Sequence, residues 1–115
     1  MTQYVKAVRT PVAWHEAHAR TDRFLVEEVT RHGRERMSKG EDVLYGEDVD
    51  GLIHLKPEPN GNGISRVLRK NSIVRNATTA IYVCDFDKPT WGVRQAYYYV
   101  EFISPQEYVR HLLNS

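Results

Sequence analysis

The sequence predicts an α+β fold, a small antiparallel sheet packed by helices from the two ends of the chain. Three observations point there. Residues 78–103 hold two β-branched and aromatic runs separated by the turn-rich DKPTWG, the pattern of a hairpin. Residues near each end repeat apolar positions at spacings of three and four, the period of an amphipathic helix. The chain has 115 residues, 41% hydrophobic and 27% charged. That is enough for one core and too little for two ordinary domains, so residues 1–115 are read as a single domain.

Taken in order, QYVKAVR at 3–9 reads as a first strand. Thr10 and Pro11 then resemble a helix start, since threonine caps and proline suits the first helical position. A long helix is expected over about 11–36. Trp14, Ala17, Thr21, Leu25 and Val29 share one face, widened by Ala13 and Phe24, while Glu28 interrupts it. Gly33 reads as the end of that helix. The stretch 38–50, rich in glycine and carboxylates, reads as a loop. LIHLKP at 52–57 alternates like a short strand ended by Pro57, and EPNGNG at 58–63 is a turn signal. ISRVLRKNSIVRN at 64–76 suits a short helix with an extended exit.

The 78–103 hairpin is the centre of the predicted sheet. Pairing Phe86 with Val93 sets Asp85 opposite Arg94, a cross-strand pair of opposite charge. Ile81, Val83, Ala96, Tyr98, Val100 and Phe102 then form one face, read as core beneath the long helix. Tyr82, Cys84, Tyr97 and Tyr99 form the other. A slip of one residue would exchange these roles. A short helix at 105–114 follows, with Ser104 as cap, Pro105 in the first position, Glu107 completing a capping box, and Tyr108, Leu112 and Val109 facing inward.

Charge and cysteine content narrow the function. The formal net charge is +1, so a polyanionic partner would need a local patch. Cys84 is the only cysteine, which excludes an intrachain disulfide and favours a reducing, cytoplasmic setting. No apolar run resembles a signal peptide or a membrane span, so no membrane partner is expected.

Candidate sites are sparse. His15, His18 and Asp22 would project within about 60° of one another on a helix and could together chelate a divalent ion, but HxxH with a later aspartate is no established metal signature. A solvated His18–Asp22 pair is the simpler reading. The acidic 41–50 stretch lacks the ligand spacing of a calcium loop. Arg66, Arg69, Lys70 and Arg75 form a basic segment without an acid. Beside sheet tyrosines, that segment suits single-stranded nucleic acid, although no RNP-type or KH motif accompanies it. Trp91, in the hairpin loop, either folds back on the sheet or anchors a protein contact. No nucleophile elbow, phosphate loop, dinucleotide fingerprint or HExxH is present, so neither catalysis nor a cofactor is indicated. Cys84 reads as a buried thiol and His32 as a packed histidine.

The functional expectation is a small non-catalytic module of the inhibitor, adaptor, immunity or viral host-directed type. It would contact a protein, or a second copy of itself, through Tyr82, Tyr97, Tyr99 and Trp91. The alternatives are nucleic-acid binding through Arg66, Arg69, Lys70 and Arg75 with the same tyrosines, and a small-molecule or nucleotide pocket between helix and sheet.

Overall fold

The computed structural model describes residues 2–13, 22–56, 66–70, 81–90 and 93–114. Among these the order is β1 (Gln3–Ala13), α1 (Asp22–Lys39), β2 (Leu44–Val49), β3 (Leu52–Leu55), β4 (Arg66–Lys70), β5 (Ile81–Thr90), β6 (Val93–Ile103) and α2 (Pro105–Leu113). The expected α+β composition and antiparallel pairing are present. The sheet, however, is not open. Each strand pairs with the next, and β1 also pairs antiparallel with β6, closing a six-stranded barrel. No helix among the described residues is long and apolar enough to cross a membrane.

Strand alternation divides the apolar residues between two cores. Inside the barrel lie Val5, Ala7, Ile53, Leu55, Leu68, Tyr82, Cys84, Ala96, Tyr98 and Val100. Ala7, Cys84 and Ala96 stand among larger residues here, the mixture of sizes that the interior of a small barrel calls for. Gly46 belongs to the same economy: a Cβ there would strike the His54 carbonyl across the β2–β3 ladder. The second core lies outside the barrel, where Leu25 and Val29 of α1 cover Val8, Ile81, Val83, Tyr97 and Tyr99. Burial of each large apolar side chain there contributes about 1.5–3 kcal/mol at most.

Several expectations are corrected. β1 runs through Thr10 and Pro11 to Ala13, so these residues do not start a helix. Pro11 has no N–H for the ladder, and the β1–β6 register shifts between Arg9 and Ala13. The buried Thr10 hydroxyl donates to the Tyr97 carbonyl at 2.9 Å beside this irregularity. The helix is 18 residues long and starts at Asp22. Leu25 and Val29 lie on its buried face as expected, whereas Trp14, Ala17 and Thr21 fall outside the described residues. Gly33 does not end it. It lies inside α1 at the point nearest β6, where a Cβ would fall within the Tyr99 side chain. The helix instead ends at Gly40, whose φ of 69° favours glycine and whose N–H donates to the Met37 carbonyl at 3.1 Å.

Of the expected 38–50 loop, Leu44–Val49 are strand, paired with β1 and β3 on either side. Asp50 and Gly51 then make the two-residue turn into β3, with φ of 54° and 86°, the backbone an Asp-Gly hairpin requires. β3 occupies Leu52–Leu55, as the alternation of LIHL predicts. Residues 66–70 are a strand, not a helix, because β4 bridges β3 and β5 around the barrel.

The expected hairpin forms between β5 and β6, one residue out of the expected register. Asp85 faces Gln95 rather than Arg94, and Val83 faces Tyr97. Residues 91–92 and the EPNGNG turn lie outside the described residues. Over residues 81–84 and 96–100, which lie between the barrel interior and α1, both faces of this hairpin are apolar. Side-chain polarity therefore does not choose the register. Pairing with β4 and β1, and an irregularity on β5 between Asp85 and Thr90, do.

Candidate functional site at the C-terminal helix

The tyrosine face is covered. Tyr82, Tyr97 and Tyr99 retain 6%, 0% and 5% exposure. The register slip puts Tyr97 and Tyr99 under α1 with Ile81 and Val83, while Tyr82 points into the barrel with Cys84 and Tyr98. These rings are core, so they offer no surface for the protein contact expected of them. Trp91 lies outside the described residues. So do Arg75, His15 and His18, while Asp22 opens α1. Among the described residues no three metal-ligating side chains converge. Arg66, Arg69 and Lys70 all lie on β4, where alternation directs Arg69 and Lys70 to opposite sides of the sheet. Arg69 is half-buried and acts electrostatically on the Tyr97 phenol.

What the fold does present is α2 and the strand surface beneath it. Ser104 caps this helix, its hydroxyl accepting from the Glu107 N–H at 3.1 Å. The Glu107 carboxylate does not turn back to close a capping box; it pairs with Lys6 Nζ at 3.4 Å. One turn later Tyr108, 3% exposed, stacks on Tyr4 of β1 with ring centroids 4.4 Å apart. Three residues on, His111 stacks on Tyr45 of β2 at 3.6 Å and 14° between planes. The i,i+3 spacing brings both rings to one helix face, and the β1–β2 pairing of Lys6 with Tyr45 and Tyr4 with Glu47 supplies the matching surface. Lys56 Nζ stands 5.3 Å from the Tyr108 ring centroid. Its ammonium is held above the usual lysine range chiefly by the Tyr108 hydroxyl, against desolvation, with Glu47 adding to the effect. That approach is electrostatic rather than a directed hydrogen bond, since Tyr108 Oη is buried without a partner of bonding geometry.

The two faces of α2 differ. Toward the barrel, His111 closes a cleft of about 320 Å³ whose other walls are Lys6, Met37, Gly40, Val43 and Tyr45. Away from the barrel, Val109, Leu112 and Leu113 are 50%, 41% and 80% exposed. Val109 and Leu112 thus point outward, contrary to the inward docking expected of them; only Tyr108 docks as foreseen. Sequence reasoning missed Lys6, Tyr45 and His111. The alternation of Tyr4 with Lys6, and of Tyr45 with Glu47, was the available signal, but it becomes legible only once 44–49 is known to be a strand.

No known protein family, curated protein or solved structure is significantly similar to this chain.

Proposed function

We propose that this chain is a small non-catalytic protein-binding module that makes its contact through the outer face of α2. The supporting observation is the apolar stripe of Val109, Leu112 and Leu113 on a helix whose other face is pinned by two ring stacks. Single exposed apolar residues are ordinary on a protein surface, but here they align on one helix face. Arg110, exposed beside Val109, adds a positive charge to the stripe. This is the layout of a helix that seats in an apolar groove rimmed by carboxylates. The contact has thus moved from the sheet tyrosines, which serve the core, to the helix that follows them.

The test is affinity capture compared between the wild-type chain and a Val109→Lys, Leu113→Lys variant. Both positions are exposed, so the variant should keep its far-UV spectrum and melting temperature. A partner, or a second copy seen on a sizing column, should bind the wild type and lose at least tenfold in affinity for the variant. Capture that survives the double substitution overturns the reading. An Arg66→Ala, Arg69→Ala, Lys70→Ala variant should bind the same partner unchanged. Loss of binding there, with a steep dependence on salt, would favour nucleic-acid binding instead.

A further inference from the structure

We infer that the cleft beneath α2 is a binding site for a small, neutral, planar heteroaromatic compound of the nucleobase or nucleoside class. The inference concerns the opposite face of α2 from the protein contact and does not depend on it.

The cleft, at about 320 Å³, lies at the lower end of the sizes that hold small ligands, which suits a single ring system with a modest substituent. Its lining contains the Tyr45 and His111 rings, stacked face to face with centroids 3.6 Å apart, so what they offer a ligand is an outer ring face or a ring edge. Met37 and Val43 supply apolar contact, and the thioether adapts to the edge of a ring. At Gly40 nothing lies within 4 Å of where a side chain would begin, so the glycine leaves open space on that side.

Charge selects the ligand class. Lys6 is one wall of the cleft, and its ammonium is balanced by Glu107 at 3.4 Å. That separation is long for a charge-assisted bond, and an ammonium has three donors, so Lys6 retains donor capacity toward a ring acceptor. The C-terminal end of α1, at Met37 and Gly40, brings the negative pole of the helix to the same wall. A strong anion would meet this dipole; a strong cation would meet Lys6. A neutral ring with both acceptors and N–H donors satisfies both poles, and nucleobases have that character.

The test is a titration of the isotopically labelled full chain by two-dimensional amide NMR with adenosine and cytidine. Benzoate and benzamidine serve as an anionic and a cationic planar control. At least one nucleoside should give saturable shifts at Lys6, Gly40, Tyr45 and His111. Lys6→Met should weaken that response at least fivefold, and Val43→Trp, which fills the cleft, should abolish it while leaving the spectrum of the barrel unchanged. Should either variant fail to fold, the wild-type titration decides alone. No saturable shift at these residues up to about 10 mM, enough to detect a Kd of about 1 mM, overturns the inference. Benzoate or benzamidine binding as tightly as the nucleosides overturns the assignment of a neutral ligand.

Discussion

Two buried hydroxyl groups show how single atoms bear on stability. Thr10 is buried, and its hydroxyl takes up the Tyr97 carbonyl where Pro11 breaks the β1 ladder. Thr10→Val should therefore destabilise by about 1–2 kcal/mol in chemical denaturation, the cost of leaving a buried carbonyl without its donor. Tyr97 Oη, by contrast, is buried without a hydrogen-bond partner among the described residues. Burial pushes the Tyr97 phenol above its ordinary range, with Arg69 acting in the other direction, and pushes Tyr82 up as well, with Asp48 adding to it. The folded chain thus keeps these protons to higher pH than the unfolded chain does. Their contribution to stability is complete below about pH 10, the ordinary tyrosine value, and is lost as pH rises through the higher folded values. Melting temperatures measured from pH 8 to pH 11 should fall at the alkaline end. Tyr97→Phe should flatten that fall while costing nothing near neutrality. An unchanged alkaline slope in both Tyr97→Phe and Tyr82→Phe would contradict this account.

Between α1 and the barrel, the close approach depends on Gly33. Glycine inside a helix ordinarily costs about 1 kcal/mol relative to alanine, so an alanine substitution on an exposed face would stabilise. At Gly33 the added methyl must displace Tyr99, itself packed against Val8 and Ile81. Gly33→Ala should accordingly lose about 1–3 kcal/mol in a urea melt. The cap of α2 makes a second element-scale test. Ser104→Ala removes the acceptor for the Glu107 N–H and should cost about 1 kcal/mol. Hydrogen exchange should localise the effect to the first turn of α2, because the Tyr108 and His111 stacks hold the rest of the helix to β1 and β2. Uniform loss of protection across the barrel would place α2 in the cooperative core instead. The cap at Ser104 and the strand at 52–55 were both legible in advance, since each rests on local chemistry. The strand at 66–70 was not, because RVLRK suits either structure and its pairing partners lie at 53–55 and 82–83.

Closure of the barrel sets the behaviour of the whole molecule. β1 meets β6 near opposite ends of the chain, with Tyr4 opposite Ile103. Such pairing must wait for most of the chain to be in place, so refolding after a stopped-flow dilution should proceed in milliseconds to seconds. A complete recovery within microseconds would show that local contacts dominate. Closure also removes the exposed edges that an open sheet of these strands would carry, which moves the search for a binding surface from backbone edges to side chains on α2.

Local patterning, by itself, determined that the chain is α+β, that β5 and β6 pair as a hairpin, that α2 begins at Ser104-Pro105 and that Leu25 and Val29 face a core. Each rests on spacing or capping within a few residues. Tertiary structure alone decided that the sheet closes, that the hairpin shifts by one residue, and that Gly33 lies within a helix rather than after it. Gly33 is explained by the approach of Tyr99, which lies far along the chain. For the sheet, β5 and β6 bury apolar residues on both faces, so alternation in them cannot say which face is outside until β1 has met β6 and α1 has covered them. That closure makes core of the tyrosines and brings Lys6, Tyr45 and His111, distant in sequence, to one surface.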